Sequence, residues 1–350
     1  MKKLMLTTAL ASLVITGSAI AQTTITGEAR VTYKAIASEV STGTTTTSGR
    51  GFGTEQQINF ANKGKLNVGG LEYAAGFSLE NDGLQATSLF NENTYIDITN
   101  PSSGTTISFS MDHIQRNDSD RSAGNIMAFS PNEYASSGIG SSANRMIASP
   151  SAIGQSQTAS LLQKLGDMGT FSYSYAPTVT DQSTTTTTSG SAGSETLAET
   201  NEESGYEIGF TGSLGVKGLS IDLFKSKQEK IDGKTFDEEA NMYGLRYSTG
   251  AITLGVAQKK SNASGDTTKL DVKERNYGLA YAINPNTSVG ILHATADKEA
   301  DTNKQKLTAV HIGYNLGPVA LQVGVARNTD IGGVNGQDSD VFMTRLVGAF

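Results

Sequence analysis

The stretch Thr24-Ile25-Thr26-Gly27-Glu28-Ala29-Arg30-Val31-Thr32-Tyr33-Lys34-Ala35 decides the fold. Its odd positions, Ile25, Gly27, Ala29, Val31, Tyr33 and Ala35, are apolar or small. Its even positions are Thr24, Thr26, Glu28, Arg30, Thr32 and Lys34. Successive side chains of a strand point to opposite faces, so this alternation describes a strand with one apolar and one fully polar face. Ordinary strands run about five or six residues. This one reaches the roughly 9–11 residues that a tilted strand needs to cross a bilayer. A mean hydropathy of -0.27 would suggest a soluble protein. A membrane strand shows lipid only every second side chain, however, so the mean conceals it and the periodicity decides.

Outward from this stretch the pattern repeats. Ile58 and Phe60 alternate with Gln57 and Asn59; Tyr73, Ala75, Phe77 and Leu79 alternate with polar or small residues. Tyr243, Leu245 and Tyr247, then Ile252, Leu254 and Val256, then Tyr277, Leu279 and Tyr281 do the same. So do Val310, Ile312 and Tyr314, and a last strand running from Phe342 to Phe350. Between them lie short turns at Gly69-Gly70, Asn100 to Gly104, Gly166 to Gly169, Leu214 to Gly218, Thr249-Gly250, Asn284 to Thr287 and Gly317-Pro318. They carry the Gly, Asn and Pro that tight hairpins require. These alternate with long polar loops near 36–54, 81–92, 112–157, 176–204, 226–240, 260–273, 297–305 and 328–338. Seven short turns and eight long loops make about 16 strands, with both termini at the turn end. The expected fold is all-β: a transmembrane antiparallel β-barrel with long extracellular loops and short periplasmic turns. Closure is a physical requirement, because an open sheet edge in lipid leaves backbone N–H and C=O groups without partners.

The first residues read as a targeting segment. Lys2 and Lys3 precede an apolar run from Leu4 to about Ile15, and Ala19-Ile20-Ala21 supplies the small residues of a cleavage site. Residues 1–21 are therefore expected to be a cleaved signal peptide, and 22–350 the barrel. The chain has no Cys, hence no disulfide and no thiolate site. A net charge of -7 argues against a nucleic-acid partner, which needs a basic surface.

Several of these features resemble the general diffusion porins of Gram-negative outer membranes, especially the Rhodobacter-type 16-stranded porins. They are the leader, Thr24 to Ala35 as first strand, Gly70-Leu71-Glu72-Tyr73-Ala74-Ala75-Gly76-Phe77, the long loop after Ile107-Ser108-Phe109-Ser110-Met111, and the terminal Leu346-Val347-Gly348-Ala349-Phe350. The resemblance covers the mature chain. It implies a homotrimer in the outer membrane, in contact with lipid and lipopolysaccharide, passing small hydrophilic solutes and ions. It implies that Phe350 is the signal read by the barrel-assembly machinery. It also implies that the third long loop, 112–157, folds into the barrel and constricts the pore. On that loop the resemblance points to Asp112, Asp118, Asp120 and Glu133 as acids set against wall bases, for which the inward parity offers Arg30, Lys34, Lys63, Lys65, Arg246 and Arg345. The loop departs from the family pattern in also carrying Arg116, Arg121 and Arg145.

Other readings are weaker or remain open. A substrate-specific channel would line its lumen with aromatics or a dense basic cluster, whereas most aromatics here fall on the outward parity. A barrel adhesin or receptor acting through its loops would share the fold. An enzyme is not expected: of the three histidines, His113, His293 and His311, only Asp112-His113 suggests a dyad, and neighbours on a strand point to opposite faces. No cofactor is expected. The acids Asp330, Asp338 and Asp340, or Asp297, Glu299 and Asp301, carry the hard oxygens a structural Ca²⁺ site uses, but they sit in loops, where solvated acid runs are the commoner explanation.

Overall fold

The computed structural model describes residues 22–39, 48–82, 90–110, 129–135, 144–147, 151–153, 156–177, 204–229, 237–262, 271–299 and 301–350. The first half of the barrel comprises β1 (Gln22–Glu39), β2 (Ser48–Lys65), β3 (Glu72–Asp82), β4 (Phe90–Asn100), β5 (Thr105–Ser110), β6 (Thr158–Lys164), β7 (Gly169–Ala176) and β8 (Gly205–Gly212). The second half comprises β9 (Leu219–Gln228), β10 (Glu238–Thr249), β11 (Ile252–Ser261), β12 (Val272–Asn284), β13 (Thr287–Lys298), β14 (Gln305–Asn315), β15 (Val319–Thr329) and β16 (Asp338–Ala349). Each strand pairs antiparallel with its sequence neighbours, and β1 pairs with β16, so the 16 strands form one closed barrel. One short helix, α1 (Pro131–Ala135), interrupts the third long loop.

The two parities separate as the period-2 pattern requires. Val31, Ile96, Tyr243, Val256, Tyr277 and Val310 lie on the outer face and are exposed. Continuous over the strands, they form an apolar surface far larger than the few hundred Å² a soluble monomer tolerates, and hydrocarbon is the solvent that suits it. The inner parity carries Glu28, Arg30, Ser108, Ser160, Ser174, Glu207, Asp222 and Glu274. At the turn end, Gly69 and Gly70 both take positive φ, 59° and 70°, at the centre of the turn that the Leu71 N–H closes on the Val68 carbonyl at 3.1 Å, a conformation a Cβ opposes.

The first loop is shorter than the expected 36–54, because β1 runs on to Glu39 and β2 begins at Ser48. The Gly-rich segment Gly49-Arg50-Gly51-Phe52-Gly53 looks like loop but keeps the alternation. Its glycines take the inner parity, where a Cβ on each would meet open space. Phe52 on the outer parity packs on Tyr33, centroids 5.1 Å apart. The 81–92 and 226–240 loops are likewise trimmed by two or three residues of strand at each end.

The seam closes on Phe350. Its N–H donates to the Gly27 carbonyl at 2.9 Å, and the Gly27 N–H donates to the Phe350 carbonyl at 2.8 Å. A Cβ on Gly27 would stand 2.3 Å from the Phe350 ring, so the ring lies in the groove that the missing side chain leaves. Gly27 is thus covered by this chain's own terminus.

Candidate functional site

The described residues of the third long loop, 129–135, 144–147, 151–153 and 156–157, are strapped along the inside of the barrel. Its helix α1 starts with a capping box: the Ser130 N–H donates to Glu133 Oε2 at 2.6 Å, and the Glu133 N–H donates to Ser130 Oγ at 3.2 Å. Pro131 takes the first helical position, where no N–H is missed. The signal Ser130-Pro131-Asn132-Glu133 stands in the sequence, but a helix of five residues is too short for a periodicity search to find.

Two wall strands grip this helix. Lys34 on β1 donates from Nζ to the Glu133 carbonyl, and Arg345 on β16 donates from Nη2 to Glu133 Oε1. Arg345 also donates from Nε to Thr32 Oγ1 at 3.0 Å, and its guanidinium lies 4.8 Å from the centroid of the Phe129 ring. Arg is suited to this post because its planar fork bonds to several partners while its face stacks on the ring. Tyr134 packs edge-on against Phe129, centroids 5.6 Å apart, over Gly324 of β15, where a Cβ would stand 1.9 Å from the phenol oxygen. Burial first, and Glu133 second, push the Tyr134 hydroxyl above its ordinary pKa, so it stays a neutral phenol.

Beneath the helix lies an apolar seat. Ile36, Leu292, Ala294, Leu307, Ala309, Ala326, Val341 and Met343 cluster with Phe129, Tyr134, Ala135 and Met146 of the loop. These wall residues belong to the inner parity of β1 and β13–β16. The sequence reading assigned that parity to water, and the structure corrects it over this sector because the loop, not water, covers the wall. The signal was present: Leu292, Leu307 and Met343 break the polar row. Without the loop's position nothing distinguished them from noise.

Beyond the helix the loop is held by polar straps. Arg145 pairs from Nε with Asp301 Oδ2 at 2.8 Å, and its N–H donates to Gln305 Oε1 at 2.8 Å. Lys259 Nζ donates to the Ile147 carbonyl at 2.9 Å, and the Ile147 N–H donates to Glu274. Ser151 Oγ donates to Glu207 Oε2 at 2.6 Å, and the Ala152 N–H donates to Ser226 Oγ at 2.8 Å. Glu207, Glu274 and Lys259 are almost wholly buried, and sequence reasoning did not single them out. Their inward parity was visible, but so was that of many residues without a partner in the loop.

Of the acids expected at the constriction, Glu133 touches the bases Lys34 and Arg345. Asp112, Asp118 and Asp120 lie outside the described residues, as do Asp112-His113 as a pair and residues 1–21. Arg30 is held by Glu28 and Glu55, which share its wall. Lys63 and Lys65 stand exposed at the turn end of β2, and Arg246 stands near the turn end of β10. These three are remote from Glu133. His293 Nδ1 lies 2.9 Å from Thr308 Oγ1 on the outer face, and His311 is buried on the inner one. Asp301 is taken by Arg145, Asp297 by Lys304, and Asp338 and Asp340 by Arg327. Among the described residues no three acidic or His side chains converge as a metal site would require.

A family model described as Gram-negative porin matches residues 7–333. No sequence among the curated proteins matches. An anion-selective porin from Comamonas acidovorans superposes with a TM-score of 0.65 at 15% identity, covering 95% of this chain and 100% of that one. A Salmonella typhi OmpF complex with daunomycin gives 0.63 at 12% identity, covering 94% and 98%. A mutant of the Rh. blastica porin gives 0.58 at 14%, covering 94% and 100%. At such identities the superpositions speak for the fold alone, while the family match spans most of the sequence. A closed 16-strand barrel with a loop folded against its inner wall, matched by that family model, makes this chain a member of the Gram-negative porin family, a diffusion channel of the outer membrane.

Proposed function

We propose that the channel is a general one, passing small hydrophilic solutes and ions without a dedicated substrate. The observation that carries this reading is the clamp of Lys34 and Arg345 on Glu133, which holds the loop helix against one side of the lumen. A loop so held narrows the pore by a constant amount and excludes solutes by size. Charged inner-wall residues keep the lumen wetted and bias which ions pass. The wall bases Arg30 and Arg345 each pair with an acid, and Lys34 donates to the Glu133 backbone carbonyl, so the local field is divided and the ion preference weak. The net charge of -7 tilts it towards cations.

The remaining expectations belong to the same proposal. Residues 1–21 are removed on export. Phe350 at the seam is read by the barrel-assembly machinery. Three copies associate through outer faces such as Ala29, with lipid and lipopolysaccharide around them. Asp112, Asp118 and Asp120 stand with Glu133 as the acidic side of the constriction. Passage is passive, so it needs neither catalysis nor a cofactor.

Single-channel recording in a planar bilayer tests the reading. A general pore conducts strongly and almost ohmically, with weak block by sugars, peptides and other solutes. Strong block by one solute class would replace it with a specific channel. Near-zero conductance of the folded barrel would favour a receptor acting through its loops. Crosslinking that found only monomers would remove the trimer.

A further inference from the structure

At the turn-end rim, away from the constriction, a cavity of about 530 Å³ opens between β6 and β10. Its polar lining comes from Lys164, Asp167, Thr170, Thr211, Ser220 and Arg246. Three cations deeper on the inner face are engaged by acids: Arg30 by Glu28 and Glu55, Arg345 by Glu133, and Lys259 by Glu274 at 3.8 Å. Lys164 and Arg246 differ, since neither side chain has an ion pair or hydrogen bond with a described residue. The hydroxyls of Thr170, Thr211 and Ser220 also have no hydrogen-bond partner among the described residues. Two free cations and three free hydroxyls thus line one recess, against the single acid Asp167.

The recess is built on a fixed frame. The turn Gly166–Met168 lies directly on the end of β8: the N–H groups of Ser213 and Leu214 both donate to the Met168 carbonyl at 2.9 Å. Ser213 Oγ donates to the Asp167 carbonyl at 3.0 Å. A Cβ on Gly212 would stand 2.1 Å from the Met168 carbonyl oxygen, so glycine is what allows this contact. This frame fixes the backbone around the recess, so only the side chains need ordering when a ligand arrives.

We propose that this recess is an anion station that takes inorganic phosphate and phosphate monoesters as they pass the turn-end mouth. A tetrahedral oxyanion accepts two N–H bonds from an Arg fork and a charge-assisted bond from Lys, while hydroxyls donate to its remaining oxygens. The proposal rests on the chain being a conducting pore. It goes further in giving that pore an axial polarity: a free basic rim at the turn end, and paired charges at the constriction. Lying beside the path and not across it, the station delays phosphate without excluding other solutes.

The test uses the purified full-length barrel, and Lys164→Gln/Arg246→Gln as the double variant. A station open to water is expected to bind phosphate with a dissociation constant of about 1 mM. Recordings in about 0.1 M KCl avoid screening the site away. Phosphate at about 1 mM, added on the turn-end side only, should mask the two cations and shift the reversal potential in a KCl gradient towards potassium while most of the current persists, and the double variant should lose that shift. Calorimetric titration of phosphate into detergent-solubilised protein should show the same binding and the same loss. A channel that conducts but shows no phosphate-induced shift, an equal shift from both sides, or a shift retained in the double variant overturns the station. Absence of conductance with phosphate binding intact would instead overturn the pore reading and leave the site standing.

Discussion

Glu133 is gripped twice, by the Arg345 fork at its carboxylate and by Lys34 at its carbonyl, while Ser130 caps it from behind. Removing one partner of such a cluster leaves the others short of a bond, at about 1.5–3 kcal/mol for a charged group. Arg345→Ala should therefore loosen the loop by that order and expose the Glu133 charge to the lumen. In a KCl gradient the reversal potential should move towards potassium selectivity. Glu133→Gln should move it the other way, and Arg246→Ala towards potassium again without loosening the loop. Unchanged potentials in all three would remove these residues from the ion path. Tyr134 belongs to the same cluster in another sense. Its buried hydroxyl has no partner among the described residues, so its contribution is the ring seated over Gly324.

At the scale of the strand, the inner and outer parities of β14 face different surroundings. Leu307 and Ala309 lie under the loop, whereas Val310 and Ile312 are half-exposed on the outside. Leu307→Ala opens a cavity beneath α1 and should cost about 2–5 kcal/mol. Val310→Ala, facing lipid, should stay within about 0.5 kcal/mol. The readouts are protease sensitivity of the third loop in the folded barrel and the open-channel noise it produces. Equal behaviour of the two variants would mean that the loop does not rest on this seat. The same strands explain what a periodicity search can find. A row of ten or more residues averages out one exception, so β1, β10, β12 and β14 were legible. The Gly-rich start of β2 and the five-residue α1 were not, because glycine carries no hydropathy signal and a single turn has no period.

For the whole molecule, closure is the decisive event: β1 pairs with β16 from Glu28 opposite Ala349 to Glu39 opposite Asp338, and two backbone bonds and a ring at Phe350 finish the seam. Phe350→Ala should destabilise the barrel by leaving Gly27 uncovered, and Gly27→Ala should do so by forcing the ring out, each by about 1–3 kcal/mol. The pair shares one contact, so the double variant should fall short of the sum of the singles. Thermal unfolding in detergent, followed by loss of the folded band on unheated gels, measures it; strict additivity would detach Phe350 from Gly27. What the amino-acid sequence determined alone is the barrel itself: side-chain parity is a local property, and a strand of alternating character in lipid has only closed solutions. Strand number and turn end followed from counting. What only the tertiary structure decided is the meeting of residues far apart in the chain: Glu133 with Arg345, Arg145 with Asp301, Lys164 with Arg246 around one recess, and the loop with its apolar seat. Parity tells a side chain which face it occupies, but partners on that face are set by register around the ring and by the path of the loop, neither of which is local.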